Sequence, residues 1–432
     1  MKILFVHQNF PGQYLYLAPA LVKRGHQVRA LCLRQPVPVL QGARIEAYKP
    51  LRKPVATQLP LLQNTESKVL RGEGVAVACA RLAAQGFTPD LICVHPGWGE
   101  ALFLREVWPQ ARQLHFVEFY YAAVGQDTGF DPEFAAPDLA QRCRLVMNNL
   151  TLLHALHNMD AGASPTQWQA STVPPLLRDR ISVIHDGVDT QRAQALPGAR
   201  FRATTQAGVA LDLGAENEVL SFVNRNLEPS RGYHRFMRAL PSVLRQRPQA
   251  QVVIVGGSDT SYGAKPDSGS YQQRFLDEVR PQMQASELQR IHYMGRIPHR
   301  TLMALFQVTR AHVYLTYPFV LSWSMLEAMS CGAVVIGSDT PPVREVLRDG
   351  HNGHLVDFFD QPALVQAVCA ALPHPPGSTP LAQAARQTVL DSYDLAQCLP
   401  RQVALAEAIG SMPLQAALTP APIPAPPPTT TN

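Results

Sequence analysis

The sequence predicts an α/β protein: two doubly wound parallel sheets, each forming a domain, that face each other across a cleft. Three observations carry this. Short apolar runs alternate with helical patterns along nearly the whole chain, which is how βαβ units read. The 432 residues are too many for one ordinary core and suit two domains. Hydrophobic residues make up 46% and charged residues 16%, so a globular chain is expected.

The first half offers the strands KILFVH (2–7), VRALCL (28–33), DLICVH (90–95) and LHFVE (114–118). Each is a short apolar run of strand length, as fully buried parallel strands are. YLYLAPALVKRGH has apolar residues at helical spacing and Gly25 as its stop, and PDLAQRCRLVMNNLTLLHALHNMD reads as a longer helix. The second half offers VLSFVN (219–224), QVVIVGG (251–257), IHYMG (291–295), HVYLT (312–316) and AVVIGS (333–338). Between them lie the helices YHRFMRALPSVLRQR, PHRTLMALFQVTR and SMLEAMSCG. The seam falls near ISVIHDGVDT (181–190), at a turn-prone Asp-Gly followed by a polar segment. The expected division is a first domain over 1–185, a second over 186–390, a C-terminal helix over 391–410 packing back on the first domain, and a disordered tail over 411–432. The tail ends TPAPIPAPPPTTTN and lacks core-forming residues.

The net charge of +5 is mild. It suits anionic ligands or weak attraction to an acidic membrane surface, and is too diffuse to argue for nucleic acid. The seven cysteines form no CxxC pair, so buried thiols in a reducing cytosol are expected. MKILFVHQ reads as a strand, its apolar run being too short for a signal peptide. No stretch reaches the roughly 18 apolar residues that span a bilayer. The expected location is cytoplasmic, with room for a peripheral contact at the cytoplasmic membrane face.

Doubly wound sheets bind ligands at the carboxyl ends of their strands, so the residues that follow each strand are the candidates. After VLSFVN, Arg225 and Arg231 read either as exposed loop arginines or as a fork for a diphosphate, and Gly232 would let the backbone come close. After IHYMG, Gly295, Arg296 and Ile297 form an ordinary βα turn or a loop for a flat base. After HVYLT, Ser322, Trp323 and Ser324 stand where a helix starts, so the serines cap free N–H groups, meet a phosphate, or both. Glu327 is either the partner of Ser324 in a capping box or a carboxylate for sugar hydroxyls. In the first half, Gly12 lies in the first βα loop and His95 and Glu118 stand at strand ends. A histidine there packs or caps as readily as it reacts. A GxGxxG fingerprint after the first strand and a Walker lysine loop are both missing, which argues against dehydrogenase and NTPase chemistry.

Together these residues resemble the family-4 retaining glycosyltransferases of GT-B fold, over about residues 1–410 and most strongly over 181–360. VIHDGVDT resembles that family's interdomain IPNGVD segment. NRNLEPSRG resembles its GRL…KG segment, with Arg231 in place of the usual lysine. LEAMSCGAVVIGSDTPPVREVLRDGHNGHLV resembles its long LEAMACG.PVV run. The family pattern has two glutamates eight positions apart. Here the second is Glu327 and the first position holds Phe319, while Ser322 replaces a usual glycine.

The resemblance implies an enzyme that moves a sugar from a nucleotide-diphosphate sugar to an acceptor hydroxyl with retention, in polysaccharide or glycoconjugate synthesis. Arg225 and Arg231 would hold the diphosphate, with Ser322, Trp323 and Ser324 beside it. Glu327 would hold the ribose, Gly295 to Ile297 the base, and Gly12, His95 and Glu118 the sugar and acceptor side. The expected partners are a nucleotide sugar and a glycan, lipid-linked or protein acceptor. No metal or other cofactor is expected, because no DxD-type acidic cluster stands beside the proposed phosphate site. The alternatives are a GT-B nucleotide-sugar epimerase or phosphorylase, or a catalytically silent sugar-nucleotide-binding protein.

Overall fold

A computed structural model of the chain describes residues 1–55, 59–134, 137–261, 263 and 265–413. The Pro-rich tail lies, beyond Pro413, outside the described residues.

The first sheet contains β1 (Lys2–Val6), β2 (Gln27–Cys32), β3 (Ala43–Ala47), β4 (Leu91–Val94), β5 (Arg112–Phe116), β6 (Ala161–Ser164) and β7 (Ile181–Val183). All seven are parallel, in the order β3-β2-β1-β4-β5-β6-β7. After a hairpin of β8 (Arg200–Thr204) and β9 (Ala210–Gly214), the second sheet contains β10 (Glu218–Asn226), β11 (Ala250–Gly257), β12 (Ile291–Gly295), β13 (Thr309–Tyr314), β14 (Val334–Ser338) and β15 (His354–Val356). These six are also parallel, in the order β12-β11-β10-β13-β14-β15. The two-sheet α/β architecture read from the sequence is therefore the observed one.

In the first sheet the strand order reverses between β1 and β4, in the second between β10 and β13. Side chains on both faces of the central strands are buried, for instance Ile3, Leu4, Phe5 and Val6 in β1 and Leu220 to Phe222 in β10. Ligands of doubly wound folds bind at such switch points. The candidate residues of both domains stand at the ends of β1, β4, β5, β10, β12 and β13 or just after them.

Three details differ from the sequence reading. The polar segment after 190 runs through turns over 191–199 into a hairpin, whose β8 and β9 bury Phe201, Leu211 and Leu213 in the second core. The ISV of the seam is β7, an edge strand of the first sheet, and the chain crosses over only after it. A helix over Gln63–Ala84, interrupted in sequence by Gly72 and Gly74, covers the first sheet. Both glycines are packing requirements, since a Cβ on Gly72 would lie 2.7 Å from the Gly99 carbonyl and one on Gly74 2.4 Å from that of Lys49.

The domains meet at several places; Glu345 of the second, for instance, accepts from Gln167 and Trp168 N–H of the first at 2.7 and 2.8 Å, and three further contacts follow the path of the chain. At the crossing, Val188 N–H donates to Tyr393 O and Leu395 N–H to Val188 O. The helix Leu395–Gly410 then returns to the first domain, where Glu407 accepts from Arg24 and His26, and Gln402 donates to His185 O at 2.8 Å. The third contact is a segment that leaves the first domain after β5. Its Asp131 is buried inside the second domain and is shared by His234 Nε2 and Tyr317 Oη, each at 2.9 Å. Phe130 packs among Tyr317, Phe358 and Phe359, and Phe134 against His234. Glu133 accepts two hydrogen bonds from Arg238.

All seven cysteines are free thiols, five of them buried. Burial pushes the Cys79 and Cys93 thiols well up. Among the described residues no helix is long and apolar enough to cross a membrane.

Candidate active site

In the loop after β1, Gly12 has φ +49°, and a Cβ there would lie 2.3 Å from the His7 ring. The glycine lets His7 tuck beneath the loop. His7 Nδ1 accepts from Asn9 N–H at 3.0 Å, so its proton is on Nε2, which donates to Gln13 Oε1 at 2.7 Å. Burial, helped by His95, lowers the His7 pKa to about 3, and the ring is neutral. Gln13 in turn donates to Glu118 Oε1 at 3.2 Å.

After β4, His95 caps a short turn by accepting from Gly97 N–H at Nδ1. Its ring stacks on Trp98 with centroids 3.9 Å apart. The opposite nitrogen, Nε2, faces Glu118 Oε2 at 3.5 Å, the outer limit of hydrogen-bond reach. Burial pushes the Glu118 carboxyl up, but the His95 and Gln13 contacts outweigh burial and hold it below its usual range. His95 and Glu118 are thus brought together, with Gly12 serving the loop that aims Gln13 at the same carboxylate.

In the second domain, Gly232 (φ +68°) ends a single turn over Pro229–Arg231. A Cβ there would lie 2.2 Å from the Leu315 side chain, so only glycine lets the turn close on β13. The turn buries Arg231, which is 7% exposed and donates from Nη1 to Thr316 Oγ1 at 2.9 Å and Val320 O at 3.0 Å. Arg225 is exposed within the last residues of β10, not beyond the strand. Both arginines line a cavity between the domains, together with Gln13, Glu118, Asp186 and Ser322.

Phe319, where the family pattern has a glutamate, is buried against Phe119 of the first domain, with ring centroids 4.8 Å apart. The Arg231 guanidinium lies 5.4 Å from the Phe319 centroid. The position here closes the domain junction and supports an arginine.

The helix after β13 runs over Trp323–Ser330, with Ser322 as its N-cap accepting from Ser324 N–H. Both serines lie at the helix start, and their Oγ atoms are 2.9 Å apart. Because the helix begins at Trp323, Glu327 is its fifth residue and too far along for a capping box. Of the two roles open to Glu327 from the sequence, the capping box is therefore not formed. Glu327 Oε1 instead meets His299 Nε2 at 2.7 Å, and this contact raises the His299 pKa. Trp323 donates from its indole to Asp186 Oδ2 at 2.8 Å, tying the helix start to the interdomain crossing. Burial, reinforced by Glu118, pushes Asp186 up to about 7 despite that bond.

Gly295 has φ +64°, and the direction a Cβ would take is filled by Gln206 from the β8–β9 turn. The open face expected beside this glycine is therefore occupied by the chain itself. Arg296 donates to Asn226 Oδ1 and Asp259 Oδ2, and Ile297 packs on the second core. Gly295, Arg296, Ile297 and Glu327 do not line the cavity that holds the arginines.

A second cavity lies on the other side of Glu118, lined by His95, Trp98, Lys68, Arg71 and Asn148. Sequence reading missed Lys68 and Arg71 because the glycines hid their helix. It also missed Asp186 and His299, whose partners are distant in the chain. His299 opens a helix beside the candidate loop 295–297, the one local signal it offered.

Asp131, Glu133 and His234 have ligand-type atoms within 4.8 Å of one another. Glu133 is engaged by Arg238, and Arg235 lies 3.9 Å from Asp131, so a cation there would face two guanidiniums. The cluster does not fit a metal.

Residues 24–193 match the family described as glycosyl transferase family 4 group, and residues 211–388 match glycosyl transferases group 1. The chain belongs to the family-4 glycosyltransferases. It is 29% identical over 213 residues to the GDP-mannose-dependent alpha-(1-6)-phosphatidylinositol monomannoside mannosyltransferase of Mycolicibacterium smegmatis, covering 48% of this chain and 51% of that one. It is 25% identical over 201 residues to the D-inositol 3-phosphate glycosyltransferase of Streptomyces coelicolor, covering 44% and 42% respectively. The chain thus spans about half the length of the curated relatives it matches. The fold is similar to that of the sucrose-phosphate synthase of Thermosynechococcus elongatus, with TM-score 0.71 at 19% identity over 95% of this chain and 99% of that one. This family-4 chain shares its two-domain GT-B architecture with that structure.

Proposed function

We propose that this chain transfers a hexose from a nucleoside-diphosphate sugar to an acceptor hydroxyl with retention of configuration, in glycoconjugate or polysaccharide synthesis. The observation that carries the reading is the interdomain cavity, where Arg225, Arg231 and the helix start at Ser322 and Trp323 converge opposite Glu118. Diphosphate departure builds negative charge, and fixed guanidiniums with the N–H groups of a helix start stabilise it without reorganising. No cation is needed in this scheme. The first domain supplies an ionised carboxylate, Glu118, between the donor cavity and the second cavity, with His95 against it. Glu327 would hold the ribose from the edge of the site, with His299 orienting it. The names of the mannosyl and inositol-phosphate relatives support an acceptor bearing a polyol. A contact with the cytoplasmic membrane face is part of the proposal. It is supported by Leu139, Val146, Leu150 and Leu153, all exposed on the helix Leu139–Asn158 beside exposed Arg142 and Arg144.

A panel of UDP, GDP and ADP sugars, screened by thermal stabilisation, tests the reading. A donor at 100 times its dissociation constant adds about 2.7 kcal/mol to stability. Stabilisation by one nucleotide class, followed by release of its diphosphate when an acceptor is added, supports transfer. Binding with no turnover identifies a silent binder, and isomerised donor an epimerase.

A further inference from the structure

The cavity beyond Glu118 contains two cations, Lys68 and Arg71, that form no ion pair with any described residue. Lys68 and Arg71 are three residues apart on the helix Gln63–Ala84 and share one face of it. Lys68 is 4% exposed, yet its ammonium donates only to the neutral Asn148 O and Oδ1, at 2.8 and 2.5 Å. Arg71 donates to the Trp98 carbonyl at 3.0 Å. Among the described residues neither forms an ion pair. The interior carboxyl that influences both, Glu100, is itself fully buried, accepts from Tyr48 Oη and is pushed up by that burial.

Taking an ammonium out of water costs several kcal/mol unless an anion meets it. If the only purpose were to fasten the Asn148 helix to its neighbour, an uncharged amide would do so without that cost. A second cation one turn away adds repulsion. The arrangement makes sense when a ligand completes it. We propose that Lys68 and Arg71 bind the phosphate of a phosphorylated acceptor. The proposal rests on the glycosyl-transfer reading above and names the acceptor's chemical class. With the phosphate at Lys68 and Arg71, a hydroxyl of the same molecule reaches the Glu118 and His95 end of the cavity, where Glu118 also borders the donor side. Asn64 and Asn148, which line the same cavity and bond each other at 2.8 Å, offer amide donors for the remaining phosphate oxygens.

Calorimetry on the full chain tests this with defined probes. These are myo-inositol 1-phosphate, glucose 6-phosphate, their unphosphorylated parents, and vesicles of phosphatidylinositol or of phosphatidylcholine. Expected is at least tenfold tighter binding of a phosphorylated probe than of its uncharged counterpart. Lys68→Gln and Arg71→Gln should each reduce that preference about tenfold and leave nucleoside-diphosphate binding unchanged. Should Lys68→Gln fail to fold, Arg71→Gln alone decides, since Arg71 is only partly buried. Preference for the free phosphates assigns a soluble acceptor, and preference for phosphatidylinositol vesicles alone assigns a lipid headgroup. Either supports the proposal. Equal binding of phosphorylated and unphosphorylated probes, including none, overturns it, as does a preference that survives both variants. Loss of nucleotide binding in the unaltered chain would instead overturn the donor reading.

Discussion

Arg231→Ala is the sharpest perturbation of the donor site. The guanidinium is almost fully buried, held by Thr316 Oγ1 and Val320 O, and lies over Phe319 at the wall of the interdomain cavity. Hydrogen bonds to charged groups are worth about 1.5–3 kcal/mol each, and truncating one partner of a desolvated charge pair costs about 2–5 kcal/mol. At about 1.4 kcal/mol per decade, nucleoside-diphosphate affinity should fall from roughly 30-fold to a few thousand-fold. The side chain also serves the fold. Its removal strips donors from a loop carbonyl and a buried hydroxyl, so unliganded stability should fall by about 1–3 kcal/mol. Arg231→Lys separates the effects: charge remains and the planar fork is lost, so affinity should fall between the wild type and the alanine variant. Isothermal titration with UDP and GDP reads the affinity, and urea unfolding reads the stability. Unchanged nucleotide affinity in a folded Arg231→Ala protein would refute the diphosphate assignment, whatever happens to stability.

Glu327→Gln should raise the donor dissociation constant at least tenfold while affecting sugar phosphates that lack ribose far less; equal weakening of both would move Glu327 to the sugar or phosphate. Asp186 has its folded pKa raised from 3.8 to about 7, so its contribution to stability is fully present below pH 3.8 and lost as pH rises through 7. Asp186→Asn should therefore gain stability relative to wild type between pH 5 and pH 8, by up to about 4 kcal/mol at 1.36 kcal/mol per unit, in parallel urea titrations. Asp131→Asn takes the charge from a buried group shared by His234 and Tyr317 and should cost about 3–5 kcal/mol; a loss under 1 kcal/mol would mean the docked segment is not held by that carboxylate. Transfer activity should survive EDTA, and abolition restored by magnesium would contradict the arginine-based account of the diphosphate.

The parts of the fold legible in the sequence were those whose local signal and tertiary role agree. VLSFV and VVIV are buried on both faces in the middle of the second sheet, and they read as strands because no polar face is needed there. β3, ARIEA, is an edge strand with Arg44 and Glu46 among its five residues, so it shows no apolar run. The helix over Gln63–Ala84 was obscured by two glycines whose reason, neighbouring carbonyls, lies far along the chain. The site divides in the same way. Arg231 and Ser322 follow strands and can be found by counting from strand ends. The bond from Trp323 to Asp186 spans 137 positions, and that from His299 to Glu327 spans 28 with no sequence pattern to link them. The two serines beside Trp323 announced a helix start. The tryptophan's own purpose became visible only when the crossing segment was placed against it.

The segment that carries Asp131 into the second domain has a mechanical consequence. A crossing strand and a returning helix, taken alone, define an axle about which two bodies can swing. A fastening away from that line opposes the swing, as a second latch does on a hinged door. Wide gaping would expose Phe130 and Phe134 and strand a carboxylate that two partners share. Small-angle scattering should show nearly the same dimensions with and without nucleotide, and shortening the segment after β5 should be what sets the two halves loose.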